Sequence, residues 1–291
     1  MPEKTVAPAS GLTGRVPAWT LAVVAMLSVQ LGAAWSVGLF PLIGPLGSSW
    51  LRLCAGAVIL LAVIRPRPRD FPRGVRLPIV LLGVVTAIMN IAFLAAIDRL
   101  PLGTVVAIEF LGPLTVAAVR VHALRMLAWP AMALVGVLLL TRPWDGQVDA
   151  VGVALAAVAA AGWGAYILLT QRVGDQMVGV KALALTVPIA AIVATPFGMG
   201  EASGSLTLSV VAAIVGLALL MPVLPFTLEM LALRRLTTTA FGTLMALEPG
   251  IAALIGVLVL HQIPSPVQVA GVALVVAAGI GAERRGRRPA G

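Results

Sequence analysis

The feature that most limits this chain is a succession of apolar runs with little between them. Ten can be read, at 18–38, 44–64, 76–97, 101–119, 124–141, 150–171, 180–197, 207–232, 238–260 and 266–282. A helix needs about 20 predominantly apolar residues to cross the hydrocarbon core of a bilayer. Each run meets that need with no cluster of charge at its centre, and the connections are too short to hold a soluble domain. Composition agrees: 60% of residues are apolar and 11% charged, against roughly 25% charged in soluble chains. Too little polar side chain exists to cover a water-facing surface. The sequence predicts an all-α polytopic membrane protein with ten transmembrane helices. The first run outlasts the apolar core of a signal peptide and nine more follow, so it reads as a retained helix.

A net charge of +9 raises the question of nucleic acid. The basic residues, however, fall in short clusters between apolar runs, which is the pattern of membrane topology and not of a nucleic-acid face. The expected neighbour is the lipid bilayer. With the N-terminus in the cytoplasm, the inner segments collect 17 Lys and Arg, among them Arg65, Arg67, Arg69, Arg73, Arg76, Arg172, Lys181, Arg234 and Arg235, and the outer loops hold only Arg99 and Arg142. That asymmetry places both termini in the cytoplasm. Residues 1–17 then form a cytoplasmic N-terminal tail and 283–291 a basic cytoplasmic tail, with the extreme ends expected to be mobile. Trp19, Trp129 and Trp144 lie near the ends of runs, as interfacial anchors do. One cysteine, Cys54, excludes an internal disulfide, and His122 and His261 stand alone near segment ends. No metal, cofactor or redox chemistry is expected.

The chain also repeats itself. AAIDRLPLGTVVAIEFLGPLTVAA (95–118) lies over LALRRLTTTAFGTLMALEPGIAAL (231–254) without a gap at an offset of 136, matching Arg99–Leu100 with Arg235–Leu236 and Pro113 with Pro249. GAAWSVGLF (32–40) resembles AAGWGAYIL (160–168) around Trp35 and Trp163. This divides the chain into five-helix repeats at 18–141 and 150–282. Because five is odd, the two are inserted with opposite orientation, so the expected fold is two inverted five-helix repeats. Transporters are commonly built this way, with the substrate site near the midplane between the halves.

Several stretches carry a family likeness: WLRLCAGAVIL (50–60), MNIAFLAAI (89–97), PLGTVVAIEFLGPLTVA (101–117), GWGAYILLTQRVG (162–174) and LPFTLEMLALRRLTTTAFGTLMALEPGIAAL (224–254). With them the chain resembles the EamA-type exporters of the drug/metabolite transporter superfamily, and within these the bacterial threonine/homoserine exporter subfamily. The resemblance implies a multi-pass protein of the bacterial inner membrane that exports small amino acids or related metabolites. One departure stands out. After the ninth span such exporters usually show Gly-Glu, whereas this chain has His261 and Gln262, which puts the substrate in question more than the fold.

Four ionisable residues fall clearly within runs: Arg52, Glu109, Glu229 and Glu248. Charge at membrane depth usually faces the bundle interior or a wet cavity. Gln30, Asn90, Trp163, Tyr166 and Thr243 are the best uncharged additions. Glu109 and Pro113 share a helix face, and a proline cannot donate to the carbonyl four residues before it. Pro113 thus frees the carbonyl of Glu109, and Pro249 that of Met245, one turn from Glu248. Each half should offer a carboxylate beside a kinked helix, with Gly112 and Gly250 admitting a close approach. Each residue also has a plainer reading. Arg52 can snorkel to the interface, Glu229 can pair with Arg234 and Arg235, Gln30 and Asn90 can simply bridge helices, and Trp163 and Tyr166 can simply pack.

The glutamates and Arg52 supply both signs that a small zwitterion needs. An amino acid is the expected substrate, with protons exchanged through a glutamate as the coupling step. Same-fold exporters of cationic drugs, purines or other metabolites remain open, as does a passive channel. An intramembrane enzyme is disfavoured, because the runs hold no mid-depth histidine, HExxH or paired-Asp motif. Oligomeric state is not legible.

Overall fold

The computed structural model describes residues 17–67, 73–120, 127–145, 148–174, 179–202, 206–233, 236 and 238–285. Helices dominate, and no strand occurs among the described residues. In chain order they are α1 (Ala18–Val37), α2 (Phe40–Ile64), α3 (Arg76–Ile97), α4 (Leu102–Glu109), α5 (Leu111–Arg120), α6 (Ala128–Thr141), α7 (Ala150–Gly174), α8 (Gly179–Ala202), α9 (Leu208–Ala218), α10 (Leu224–Leu233), α11 (Thr238–Met245), α12 (Glu248–Leu260) and α13 (Pro266–Arg285). A π-turn, Leu219–Val223, joins α9 to α10. Eight stretches are long and apolar enough to cross a membrane. The expected spans at 124–141 and 207–232 are not among them, since α6 has 14 residues and the π-turn interrupts the other. Residue 283 belongs to no tail, because α13 runs on to Arg285. Residues 1–16 and 286–291 of the expected tails, with His122, Arg69, Arg234 and Arg235, lie outside the described residues.

The packing is that of a protein in lipid. Much of the interior is small: Ala22, Ala25, Ala33, Ala87, Ala156, Ala159 and Ala190 are fully buried. Large apolar side chains such as Val58, Val63, Leu138, Ile192, Leu208 and Leu258 stand on the outside. Water would reject that arrangement, but lipid tails accept it, and small residues let helix backbones approach. The principal pairings are α2 with α8, α3 with α7, α6 with α13, α3 with α8, α1 with α10 and α4 with α12. At the α6–α13 crossing a Cβ on either Gly136 or Gly271 would sit 2.7 Å from the other's carbonyl oxygen. Trp129, near the start of α6, packs against Gly281 of α13, while Trp19 and Trp144 are exposed.

Four interruptions shape the bundle. In α2, Gly44 adopts φ 64° and ψ 167°, a conformation open essentially to glycine alone, and Pro45 follows. The helix restarts against α8, where the Glu201 carboxylate accepts the N–H groups of Leu46 (2.8 Å) and Gly47 (3.1 Å), a cap on otherwise orphaned donors. The second and third interruptions fall after Glu109 and before Glu248, and the fourth is the π-turn. Just before α7, Asp149 caps that helix through Gly152 N–H at 2.8 Å and pairs with Arg99, just after α3, at 3.0 Å. The backbone donor and then Arg99 hold its carboxyl below the usual range.

A candidate substrate cavity

Between these helices lies a cavity of about 480 Å³, within the 300–1,000 Å³ typical of small-molecule sites. Gln30, Arg52, Asn90, Glu109, Pro113, Trp163, Tyr166, Glu229 and Glu248 all line it. Residues scattered over some 220 positions of sequence thus converge on one chamber. Thr243, expected to line it, stands outside the wall, as does Pro249, expected only to kink its helix. Thr243 lies two positions from both Phe241 and Met245, which do line it, so about 200° of helix rotation turns it elsewhere. Pro249 is buried in the first turn of α12, where a missing N–H is no loss.

Arg52 is the centrepiece. α2 begins at Phe40 and breaks at Gly44, so twelve of its residues precede Arg52, across that break, and twelve follow it. From there its side chain cannot snorkel out, and it is 2% exposed. Nη2 donates to Asn90 Oδ1 at 2.6 Å and Nη1 to Met221 Sδ at 2.9 Å. Asn90 in turn donates to the Thr86 carbonyl at 2.8 Å. The guanidinium is thereby held between α2, α3 and the π-turn.

Glu248 opens α12 and accepts from Gln30 Nε2 at 3.2 Å. Its second oxygen, Oε2, and Gln30 Oε1 are buried without a partner. Two orphaned acceptors on one side-chain pair invite a donor. Glu109 closes α4 and lines the same chamber as Glu248. Trp163 is steadied edge-on by Phe110, with ring centroids 6.3 Å apart and planes at 69°. Glu229 faces the cavity, and its expected partners Arg234 and Arg235 lie outside the described residues.

Some wall residues escaped the sequence reading. Met221, Thr86, Phe110 and Glu283 line the chamber, and the Thr86 hydroxyl is buried without a partner. A methionine or threonine in an apolar run carries no signal of its own. The prolines of LLMPVLP (219–225) are an unread sign of a broken helix within the run at 207–232. Gly112 and Gly250 also differ from expectation. A Cβ at Gly112 would overlap the Ala160 carbonyl of α7, but one at Gly250 would lie 3.6 Å from Val276 Cγ2, an ordinary contact. Only the first glycine serves a close approach.

Known proteins bear on this arrangement. The threonine/homoserine exporter RhtA of Escherichia coli is 38% identical over 277 residues, covering 93% of this chain and 94% of that protein. The exporter of the same name from Salmonella typhimurium is 37% identical over 284 residues, covering 96% of each. The sequence pattern of the EamA-like transporter family matches residues 150–281. The chain belongs to the EamA-like transporter family. Membership makes it a multi-pass membrane transporter homologous to the RhtA exporters. One solved crystal structure aligns with a TM-score of 0.58 at 17% identity over 91% of this chain and 98% of its own, a likeness of fold alone. Family relationship also clarifies the departure after the ninth span. His261 occupies the left-handed region, φ 56° and ψ 28°, where a glycine would fit without strain. Gln262 Oε1 caps α4 by accepting Leu102 N–H at 2.9 Å, a task a glutamate oxygen performs equally well.

Proposed function

We propose that this protein is an inner-membrane secondary transporter that exports small amino acids of the threonine/homoserine kind, with proton antiport as the coupling step. The observation that carries the reading is Arg52, the one Lys or Arg among the described residues that line the cavity. Held at mid-helix opposite glutamates, it suits an α-carboxylate, for which a guanidinium offers a matching fork of donors. Glu248 and Gln30 present the free acceptors that an ammonium requires. The relatives named as threonine/homoserine exporters support the same cargo.

In this reading the bundle is ten spans in two inverted five-helix halves, 18–141 and 150–282. Supporting it, the family pattern spans 150–281 as a unit. Exchanging each span for the one five places away turns the α1–α10 pairing into α7–α3 and α1–α12 into α7–α4, and leaves α2–α8, α4–α12 and α6–α13 unchanged. Rocking of one half against the other gives alternating access to the chamber. The arginine distribution supports cytoplasmic termini. The test is efflux of labelled threonine from loaded proteoliposomes, with and without an imposed pH gradient. Efflux that exceeds protein-free vesicles and quickens with the gradient is expected, and equal rates would eliminate antiport.

A second reading has one observation in its favour. Four glutamates, Glu109, Glu229, Glu248 and Glu283, line the cavity against the single arginine, a surplus that suits a cationic drug. Cells over-producing the protein, challenged with amino-acid analogues and with cationic dyes, separate the two cargoes by which toxicity is relieved.

A further inference from the structure

We propose that the Met221 thioether holds the place on Arg52 that the substrate's carboxylate takes, and that its displacement links cargo binding to the broken span α9–α10. The inference rests on the amino-acid reading above. It begins with a mismatch of partners. Arg52 is a fully buried cation in a chamber that contains carboxylates, yet its partners are an amide oxygen and a thioether. Sulfur is a weak acceptor, and a carboxylate accepting from a guanidinium makes a far stronger, charge-assisted bond. A glutamate in place of Met221 would neutralise Arg52 permanently. A thioether keeps it occupied, dry and exchangeable.

The backbone around Met221 is built to notice the exchange. Met221 adopts φ −151° and ψ 106° inside the π-turn, far from helical values. The π pattern bonds Leu224 N–H to the Leu219 carbonyl. The next such bond, to the Leu220 carbonyl, would need an N–H at residue 225, which is a proline. That carbonyl is satisfied from another span, by Ser28 Oγ of α1 at 2.9 Å. The Met221 side chain lies against Gly32 of the same helix, so closely that a Cβ there would be 2.8 Å from its Cγ and Sδ. Three anchors therefore fix the turn: Ser28, the Gly32 surface and Arg52. Only the last is a contact that substrate chemistry competes for. Isolated π-turns and off-helix residues gather at functional sites, and this one joins α1 and α2 to the interrupted helix on the other side of the chamber.

Two substitutions give the idea opposite signs. Met221→Leu keeps the apolar bulk and removes the acceptor, and Met221→Gln supplies a stronger one. Calorimetric binding of threonine to the purified full-length protein is expected to tighten about two- to tenfold in the first and weaken by a similar factor in the second. Threoninamide, which has no carboxylate, should bind both variants as it binds the wild type. A merely structural methionine would shift both variants the same way, or shift threoninamide along with threonine, and either result overturns the proposal. Wild-type protein that binds no threonine sinks the amino-acid reading instead. The variants are then compared with acetate as the probe, where opposed shifts support the placeholder and parallel shifts, or no binding, overturn it. Hydrogen–deuterium exchange over residues 219–233 tests the link to the span. Added threonine should speed it in the wild type, and unchanged exchange with threonine bound overturns the coupling.

Discussion

The two interrupted spans, Leu102–Arg120 and Thr238–Leu260, look alike in sequence and differ in what they do with a carboxylate. Aligned at the offset of 136, their prolines coincide, but Glu109 falls on Met245 and Glu248 on Gly112. The structure gives that one-turn shift an electrostatic meaning. Glu248 is the first residue of α12, where the free N–H groups and the helix dipole stabilise a negative charge by about 0.5–2 kcal/mol. Glu109 is the last residue of α4, where the dipole opposes it. Glu248 also accepts from Gln30, with a second oxygen left free, while Glu109 faces the chamber beside Pro113. One repeat therefore places its carboxylate at the favourable end of a helix and the other at the unfavourable end. A duplicated pattern has been put to two uses.

The sharpest way to break this comparison is to neutralise each acid in turn. If Glu248 contacts the ammonium, Glu248→Gln should slow threonine counterflow by about tenfold or more, the worth of a hydrogen bond to a charged group. Glu109→Gln should largely retain counterflow and lose the response to an imposed pH gradient. The groups that share the chamber and titrate or carry charge are Arg52, Tyr166, Glu229 and Glu283, so each variant's pH profile must be read against the wild type. Equal losses in both assays would mean that the two acids act as one site.

Next in size comes the pair of glycines. Gly112→Ala drives a methyl group into the Ala160 carbonyl of α7 and is expected to destabilise by about 1–3 kcal/mol. Gly250→Ala meets only an ordinary contact and should be neutral, or stabilising by up to about 1 kcal/mol, as alanine is the better helix former. Thermal midpoints in one detergent decide the matter. A similar drop in both would show that the second interruption is packed as tightly as the first.

The contrast also shows what a sequence can and cannot disclose. Apolar length located the helices: 76–97 was read with the ends the structure gives, and 238–260 differs only in being broken. The ionisable residues of the chamber were legible because hydrocarbon makes charge conspicuous. Residues whose role depends on a distant partner were not. Glu201 lay beyond an apolar run assumed to end at 197, and nothing local links it to Gly44, some 157 residues earlier. Met221 is an unremarkable apolar residue until Arg52 is placed beside it. Thr243 erred the other way: a polar residue in a span was taken to face the chamber, and helix phase turned it aside.

A smaller test concerns the tie between the two interrupted spans. Gln262 follows the second and caps the first through Leu102 N–H. Gln262→Ala should cost about 0.5–2 kcal/mol, as lost caps do. Gln262→Glu should restore or exceed the wild-type midpoint, because a carboxylate at a helix N-terminus adds a favourable charge. An alanine variant as stable as the wild type would mean that water caps α4 equally well and that the two spans are not tied at this end.

The smallest effect is expected at His261, which closes α12 in the left-handed region. Arg65 and Arg142 close α2 and α6 in the same way, at φ 47° and 49°. A side chain with a Cβ pays about 1–2 kcal/mol for that conformation, and glycine avoids the strain but surrenders about 0.5–1 kcal/mol of extra chain entropy on folding. The terms largely offset, so His261→Gly should raise the midpoint by about 0–1.5 kcal/mol's worth. His261→Val separates strain from entropy. A β-branched residue gains nothing from the unfolded state and is a poorer fit at positive φ, so it should be the least stable of the three. If valine matched histidine, the left-handed closure would not be what holds this turn, and the choice of histidine here would need an explanation in its ring.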